Sequence, residues 1–405
     1  MPIVVFVLAV AVFAQGTSEF MVSGLLGQIT VDVGVSLGAA GLLTSLFAIG
    51  MVVGAPVMAM VAGRLPVRYS VTAFLALFCV AHIIGALATD FTLLLVTRIV
   101  AAVANAGFLA TALAALPRLV GPTLIGRATA VIVSGVTVAC IAGVPAGTLL
   151  GQVWGWRSAF WAVAVISAAA LVPVWLMVPR GTHEADRVSA IGPSMRSEWM
   201  VLGKRPVRAA IVAGALVNAA TFAGFTYLGT ITAETTGTEG RWIPVVLALF
   251  GIGSFAGVTL TGRYSDHHRG RIVMVGTAVL VGVWTLAALT AHTLIGLAIM
   301  AVVAGAVAFG VGSTLIASIV RAAAPTAPRI AGALATTALN IGAVLGPATA
   351  GVVVDRTDQP TMALWCGAVF TLAATAVVLV GHWRGVGQRH DLGDGNSVAE
   401  SVGGR

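Results

Sequence analysis

Residues 37–62 read LGAAGLLTSLFAIGMVVGAPVMAMVA and contain no charged side chain. A helix needs about 20 mainly apolar residues to cross the hydrocarbon core of a bilayer. Gly50 and Gly54 are four residues apart, so they share a helix face and allow a neighbouring helix to approach closely. The stretch therefore predicts a helix that lies in a membrane and packs tightly against another helix.

The whole chain has the composition of a membrane protein. Of its 405 residues, 59% are apolar and 9% are charged, whereas soluble domains carry about 25% charged residues. This excludes an ordinary soluble enzyme, a disordered protein and a disulfide scaffold. The basic residues are scattered through short loops, which argues against a nucleic-acid partner, and no Cys/His spacing indicates a metal site. We expect a multi-pass protein of the cell membrane whose partner is the lipid bilayer.

The rest of the chain divides into segments of the same kind. One long polar stretch, 179–206, separates six spans from six others. We predict an all-α protein with an N-terminal bundle at 1–178, a cytoplasmic linker at 179–206, a C-terminal bundle at 207–383 and a disordered cytoplasmic tail at 384–405. The predicted spans are about 3–26, 37–62, 69–88, 92–116, 127–151, 158–178, 207–231, 243–261, 272–291, 294–319, 330–353 and 361–382.

The loop charges predict the orientation. If the N-terminus is cytoplasmic, the cytoplasmic segments hold 18 of the 22 basic residues and the opposite loops hold three, Arg157, Arg241 and Arg356. Because Lys and Arg concentrate on the cytoplasmic side of membrane proteins, both termini and the linker are predicted to be cytoplasmic.

The two halves share an internal repeat. Residues 46–50 read LFAIG and residues 249–253 read LFGIG, at an offset of 203, and each motif is followed by a further glycine and a Gly-Arg pair. Two parallel six-helix repeats predict a substrate site at their interface, near the membrane midplane, that is exposed alternately to the two sides.

The loop after the second span resembles the signature of the major facilitator superfamily. Its basic positions are Arg64 and Arg68, although Gly63 occupies the position of the usual Asp. The second half has GRYSD at 262–266, with Arg263 and Asp266. The resemblance implies a conformational role for these residues and a fold of two pseudo-symmetric six-helix bundles. Ordinary positive-inside loop charge is the alternative for the arginines.

Span 5 resembles the antiporter motif of the drug-efflux branch, with Gly143, Pro145 and Gly147. The strings FAQGTSEFM at 13–21, NAGFL at 105–109 and GWRSAFW at 155–161 resemble arabinose-efflux-type drug:proton antiporters, and most of all actinobacterial chloramphenicol-efflux proteins. The proline removes a backbone hydrogen bond and favours a kink. The alternative is a helix-packing motif that does not contact substrate.

Two charged residues lie clearly inside predicted spans, Glu19 in span 1 and Arg98 in span 4. Ionisable residues within a membrane are costly and indicate function. We predict that Glu19 carries a proton. Arg98 resembles the fourth-span arginine of proton-coupled members, and we predict that it changes the affinity of Glu19 for the proton. A structural acid and a fixed arginine are the alternatives. Asn105 lies on the face of Arg98, and His82 in span 3 is predicted to be structural.

Several neutral residues are candidates for a drug site. Phe222 and Phe225 share a face of span 7 with the polar side chains of Asn218 and Thr221. Two aromatic rings with an amide and a hydroxyl suit a neutral aromatic ligand. Interhelical hydrogen bonding is the alternative for the polar members. At an offset of 199, Asn218 is predicted to be the repeat counterpart of Glu19. The full set of substrate-binding candidates is Gln15, Glu19, Asn105, Asn218, Thr221, Phe222, Phe225 and Asn340.

These features together predict a secondary transporter that exchanges chloramphenicol, or a similar neutral amphipathic drug, for protons. The only lysine, Lys204, is followed by Arg205 and belongs to no phosphate-binding loop, so the proton gradient is the expected energy source and no cofactor is expected. We expect a monomer. Efflux of sugars or other metabolites on the same scaffold is the alternative function, although the candidate faces are poor in hydrogen-bonding groups. A passive channel or an enzyme is disfavoured.

Overall fold

The computed structural model describes residues 1–62, 66–179, 200–237, 240–327 and 330–380, without the side chains of 55–62, 122 and 265–267. Within them, twelve helices are long and apolar enough to cross a membrane, which confirms the predicted all-α architecture. Arg64, the predicted tail and residues 180–199 of the predicted linker lie outside this description. The helices are α1 Ile3–Val33, α2 Leu37–Ala62, α3 Val67–Leu87, α4 Phe91–Leu119, α5 Ile125–Trp154, α6 Arg157–Met177, α7 Arg205–Thr236, α8 Ile243–Tyr264, α9 His268–Thr290, α10 Leu294–Ala323, α11 Ala331–Thr357 and α12 Met362–Val380.

Successive helices run in opposite directions, so the loops gather at two ends of the molecule. We call the end that holds Ile3 and Val380 the termini side. The opposite end, which holds the loops 34–36, 155–156 and 358–361, is the far side. Helix α7 begins at Arg205, two residues before the predicted start of the second bundle.

Helix α5 is interrupted in its middle by a wide turn. Residues Ala139–Gly143 form a π-helical turn, in which the Val144 N–H donates to the Ala139 carbonyl five residues earlier. Pro145 follows immediately and has no N–H to offer. The irregularity predicted at the proline therefore takes the form of a local π turn, a feature that is frequent at functional sites.

Helices α8 and α9 follow each other without an intervening loop, and they are separated by a kink at His268, where φ is −122° and ψ is 19°. The sequence predicted two separate spans here, and the two helices on either side of this kink are each long and apolar enough to cross a membrane.

The internal repeat reappears in the packing. Gly50 and Gly54 of α2 face the backbone of Ile99 and Val103 in α4. In the second half, Gly253 and Gly257 of α8 face the backbone of α10 at Val302 and Ala306. All four pairs of equivalent positions are 203 residues apart. The glycines are required because a Cβ atom at each would meet backbone of the neighbouring helix.

Helix α7 matches α1 at a different offset from the one predicted. A Cβ atom on Gly135 of α5 would meet Ala9, Val12 and Phe13 of α1, and one on Gly342 of α11 would meet Ala215, Asn218 and Ala219 of α7 in the same order. This packing gives an offset of 206. Asn218 is therefore equivalent to Val12, and the predicted pairing of Asn218 with Glu19 is wrong. The residue equivalent to Glu19 is Phe225.

Candidate functional site

Glu19 and Arg98 lie in the first half, on α1 and α4. Arg98 is 1% exposed, and Glu19 is half-buried. Their charges interact electrostatically, but among the described residues they form no direct ion pair. The sequence therefore identified two neighbouring charged groups in the membrane interior that are not locked to each other.

A hydrogen-bonded chain links Arg98 to the third helix. The Arg98 Nη1 donates to Ser18 Oγ at 2.8 Å, and Ser18 Oγ lies 2.6 Å from His82 Nε2. His82 Nδ1 is 2.8 Å from the Phe78 carbonyl, which accepts only. Nδ1 therefore donates to this carbonyl, and in a neutral imidazole Nε2 is the acceptor of the Ser18 hydroxyl. This supports the predicted structural role of His82.

The arginine also contacts an aromatic ring. Its guanidinium carbon lies 4.3 Å from the centre of the Phe47 ring, and both side chains are buried. Such a cation–π contact stabilises a desolvated cation. Ser18 and Phe47 were not among the predicted site residues. The position of Ser18 next to Glu19, and that of Phe47 inside the repeated motif, were the available signals.

Two buried polar groups near this pair lack hydrogen-bond partners within the described residues. They are the Nη2 of Arg98 and the whole side-chain amide of Gln15, which lies one turn before Glu19 on α1. Buried polar atoms are nearly always paired, so each exception needs an explanation. Here Arg98 and Gln15 each have unused donors, and the Glu19 carboxyl has no hydrogen bond among the described residues. Asn105 is buried on the same face of α4 as Arg98.

An aromatic cluster lies where the two halves meet. Phe20 of α1 packs against Phe222 and Phe225 of α7, with ring centres 5.8 and 5.9 Å apart. Phe225 also lies 4.8 Å from Phe250 of α8, which contacts Phe309 of α10 at 6.0 Å. The space among them is about 10 Å³, enough for about one water molecule. The predicted Phe222 and Phe225 are thus central, but their rings are in contact and leave no room for a drug.

The aromatic cluster corresponds by symmetry to the charged site of the first half. Phe225 is equivalent to Glu19, and Ala301 of α10 is equivalent to Arg98 at the offset of 203. Phe250 is equivalent to Phe47. Phe225, Phe250 and Ala301 line one small apolar gap together with Trp284 of α9. Two of these three positions therefore hold ionisable groups in the first half, whereas all three hold apolar side chains in the second.

The remaining polar candidates have hydrogen bonds within the protein. The Asn218 amide donates to the Leu339 carbonyl of α11 at 2.6 Å, which is the interhelical alternative considered for it. Thr221 donates to Val217, and Asn340 donates to Thr336, each within its own helix. Within the described residues, no group of three or more His, Cys, Asp or Glu side chains could hold a metal ion.

The predicted conformational motifs have different outcomes. Gly143 and Gly147 place α5 against Thr17 and Met21 of α1, so this motif packs helices within the first half. The Arg68 Nε donates to the Val178 carbonyl at the end of α6, which is also a contact within one half. Arg263 is exposed, and the side chain of Asp266 lies outside the described residues.

The two halves are joined on the far side. Asp355, at the end of α11, accepts hydrogen bonds from the Ser36 hydroxyl and the Gly38 N–H, each at 2.7 Å, where α2 begins. Gln152 donates to the Gly240 carbonyl and Ser45 donates to the Val344 carbonyl. Among the described residues, the hydrogen bonds between the halves lie between the far side and the membrane middle. The structure is therefore closed on its far side.

We expect the Asp355→Ala substitution to loosen this closure. A hydrogen bond to a charged group contributes about 1.5–3 kcal/mol, and solvent exposure reduces this to about 1 kcal/mol or less. Its loss should therefore raise the population open on the far side by up to roughly fivefold. The measurement is the distance between spin labels at Val31 and Ile295, exposed far-side positions in different halves, in a background without native cysteines. Asp355→Asn keeps an acceptor for Gly38 and is the control. An unchanged distance distribution in Asp355→Ala would exclude a latch.

Comparison with known proteins places this arrangement in a family. Residues 8–347 match the sequence profile of the Major Facilitator Superfamily. The chain is 45% identical over 377 residues to a chloramphenicol resistance protein of Streptomyces lividans, covering 93% of this chain and 95% of that protein. It is 28% identical to a chloramphenicol efflux pump of Mycobacterium tuberculosis, covering 86% and 85% of the two chains.

Solved structures support the same fold. The crystal structure of a bacterial homologue of the human lysosomal transporter Spinster, in an inward-facing and unoccupied conformation, superposes with a TM-score of 0.75 at 17% identity, covering 93% of this chain and 96% of that one. Together with the twelve spans and the repeated halves, these matches show that the chain belongs to the Major Facilitator Superfamily and is a multi-pass membrane transporter rather than an enzyme.

Proposed function

We propose that this transporter exports chloramphenicol, or a similar neutral amphipathic drug, in exchange for protons. The carrying observation is the half-buried Glu19 beside Arg98, whose Nη2 has no hydrogen-bond partner in the described part of the chain. An ionisable side chain in a membrane interior is costly and is retained for function. The relatives named for chloramphenicol resistance and efflux support the choice of drug.

Coupling follows from a competition for Arg98. In the far-side-closed structure the guanidinium contacts Ser18 and Phe47, and Glu19 has no hydrogen bond among the described residues. A rearrangement that brings Arg98 Nη2 to Glu19 favours the carboxylate and releases its proton, whereas withdrawal of Arg98 favours the neutral acid. Gln15 offers a donor and an acceptor to either form. Alternating access of the two halves changes which arrangement is formed.

The drug is bound mainly by the second half. Phe222, Phe225 and Phe250 provide apolar faces at the interface between the halves, and Phe20 completes the group from α1. An aromatic, uncharged ligand inserts among these rings once they separate, as expected of a pocket with mostly apolar walls. A sugar requires many more hydrogen-bonding side chains than this cluster presents, which disfavours the alternative of sugar or metabolite efflux.

The orientation and energy source complete the proposal. The distribution of basic residues supports cytoplasmic termini, so the far side faces outward and the closed far side corresponds to a form accessible from the cytoplasm. Transport is driven by the proton gradient without a cofactor, and a monomer contains both halves of the site.

The test is transport by the purified protein in proteoliposomes. With an acidic interior of one pH unit, one-for-one exchange sustains at most about tenfold accumulation of chloramphenicol, equivalent to about 1.4 kcal/mol. We expect accumulation that approaches this limit, that disappears with a protonophore, and that is accompanied by internal alkalinisation. Arabinose, tested in parallel, should not accumulate. Drug movement without any dependence on the pH gradient would contradict proton exchange, and accumulation of the sugar alone would favour the alternative substrate.

A further inference from the structure

The second half contains a large crevice that has no part in the central site. It lies on the termini side, between the beginnings of α7 and α9 and the ends of α10 and α12, and its volume is about 950 Å³. It is separated from the aromatic cluster, with which it shares no lining residue. A cavity of this size is in the range that binds an organic ligand.

The mouth of the crevice is cationic. Arg205 and Arg208 lie in the first turn of α7, and Arg269 lies in the first turn of α9. Arg205 and Arg208 are exposed, and neither pairs with a carboxylate among the described residues. Two guanidinium groups on one turn, with a third across the opening, form a recognition site for an anionic group with several oxygen atoms.

The walls below the mouth are apolar. Ala213 lies eight residues after Arg205 on α7, which is about 12 Å deeper at 1.5 Å per residue. Val273 of α9, Leu315 of α10 and Val377 of α12 line the same crevice. Such a surface offers few hydrogen bonds to water, and a small inorganic anion bound at the mouth would not contact it. The crevice therefore fits a ligand with a charged end and a hydrocarbon end.

We infer that this crevice binds one anionic phospholipid, with its phosphate between Arg205, Arg208 and Arg269 and one acyl chain along Ala213 and Leu315. Basic pockets between membrane helices bind anionic lipid headgroups through the same charge complementarity. The crevice is charged at the helix ends and apolar deeper in the bundle, just as a lipid molecule has a charged headgroup and hydrocarbon chains. The lipid fills the space between α7 and α12 and supports the second half during the transport cycle.

The experiment measures lipid binding by the full-length protein in a neutral detergent, by native mass spectrometry and thermal unfolding. The probes are dioleoylphosphatidylglycerol, dioleoylphosphatidylcholine and inorganic phosphate. We expect one tightly retained phosphatidylglycerol that raises the unfolding temperature, and weaker binding of phosphatidylcholine. Replacing both Arg205 and Arg208 with Ala should weaken phosphatidylglycerol binding about 30-fold, since each basic residue contributes about fivefold at a membrane surface.

The matched control carries the same change of net charge on the far side. Arg241 and Arg356 are both exposed there, and replacing both with Ala should leave phosphatidylglycerol binding unchanged. Equal losses in the two double variants would overturn the proposal, because they would indicate a general effect of charge. The Ala213→Phe variant fills the apolar wall without changing charge, and it should also weaken lipid binding.

The remaining outcomes concern other occupants. Stabilisation by inorganic phosphate equal to that by phosphatidylglycerol would show an anion site with no use for the apolar wall, and would overturn the proposal. A second possible occupant is the chain's own acidic tail, which contains Asp391, Asp394 and Glu400. If phosphatidylglycerol binds only after these three residues are changed to Asn or Gln, the crevice belongs to the tail instead.

Discussion

Replacing Glu19 with glutamine is expected to abolish proton-driven export while the protein still binds the drug. Glutamine matches the shape of glutamic acid but cannot exchange a proton, so only the coupling step is removed. At a membrane potential of about 150 mV, one inward charge supplies about 3.5 kcal/mol, which sustains a drug gradient of a few hundred-fold. In Glu19→Gln we expect this gradient to fall to equality.

The measurement is chloramphenicol accumulation in cells that express each variant, with and without a protonophore. Drug binding to the purified proteins is followed separately by tryptophan fluorescence. Glu234→Gln is the matched control, because Glu234 is an exposed carboxyl near the far end of α7 and undergoes the same chemical change. Export against a gradient by Glu19→Gln would show that another group carries the proton. Loss of drug binding in this variant would instead assign Glu19 to the drug site.

The two halves have diverged in chemistry while keeping their packing. The glycines that bring α2 against α4 also bring α8 against α10 at an offset of 203. On this common framework the first half carries Glu19 and Arg98, and the second half carries Phe225 and Ala301 at the equivalent positions. The division keeps the ionisable residues of the first half apart from the aromatic rings of the second, and the two groups meet at Phe20, which follows Glu19 on α1 and packs against α7.

Composition and periodicity were sufficient to predict the twelve spans, because a segment surrounded by lipid must satisfy its own backbone hydrogen bonds as a helix. Glu19 and Arg98 were identifiable for a related reason, since a charge inside a span is rare. Partners across helices were harder to predict. The Ser18–His82 contact joins residues 64 positions apart, and nothing in the local pattern specifies which helix faces α1.

The repeat shows the limit of a single sequence offset. The halves match at 203 for α2 and α4 and at 206 for α1, because the chain between equivalent positions of the first two helices is three residues shorter in the second half. A shift of three residues moves a side chain nearly one helical turn along its axis. The predicted offset of 199 is seven residues short of 206, almost two helical turns, so it gave Asn218 the role of Glu19, whereas the packing gives that position to Phe225.

The Gly229→Ala substitution is expected to slow transport strongly by preventing closure of the far side. A Cβ atom at Gly229 of α7 would meet the backbone carbonyl of Ser23 and the Cα of Gly24 in α1, and backbone atoms cannot move aside as a flexible side chain can. Overpacking of this kind costs about 1–3 kcal/mol, which lowers the population of the closed state roughly 5- to 150-fold. The clash lies at the contact between the two halves and not inside either bundle, so each bundle should still fold.

Gly214→Ala is the matched control, because it makes the same change on the same helix. A Cβ atom there would lie 3.4 Å from the end of the Ile319 side chain, an ordinary contact, and both variants gain the same helix propensity from alanine. Initial rates of chloramphenicol exchange in proteoliposomes should fall in Gly229→Ala alone. The distance between labels at Val31 and Ile295 should increase in that variant alone. Equal rates in the two variants would mean that α1 and α7 do not have to meet at Ser23 during the cycle, and the far-side closure would then not be an obligatory step of transport.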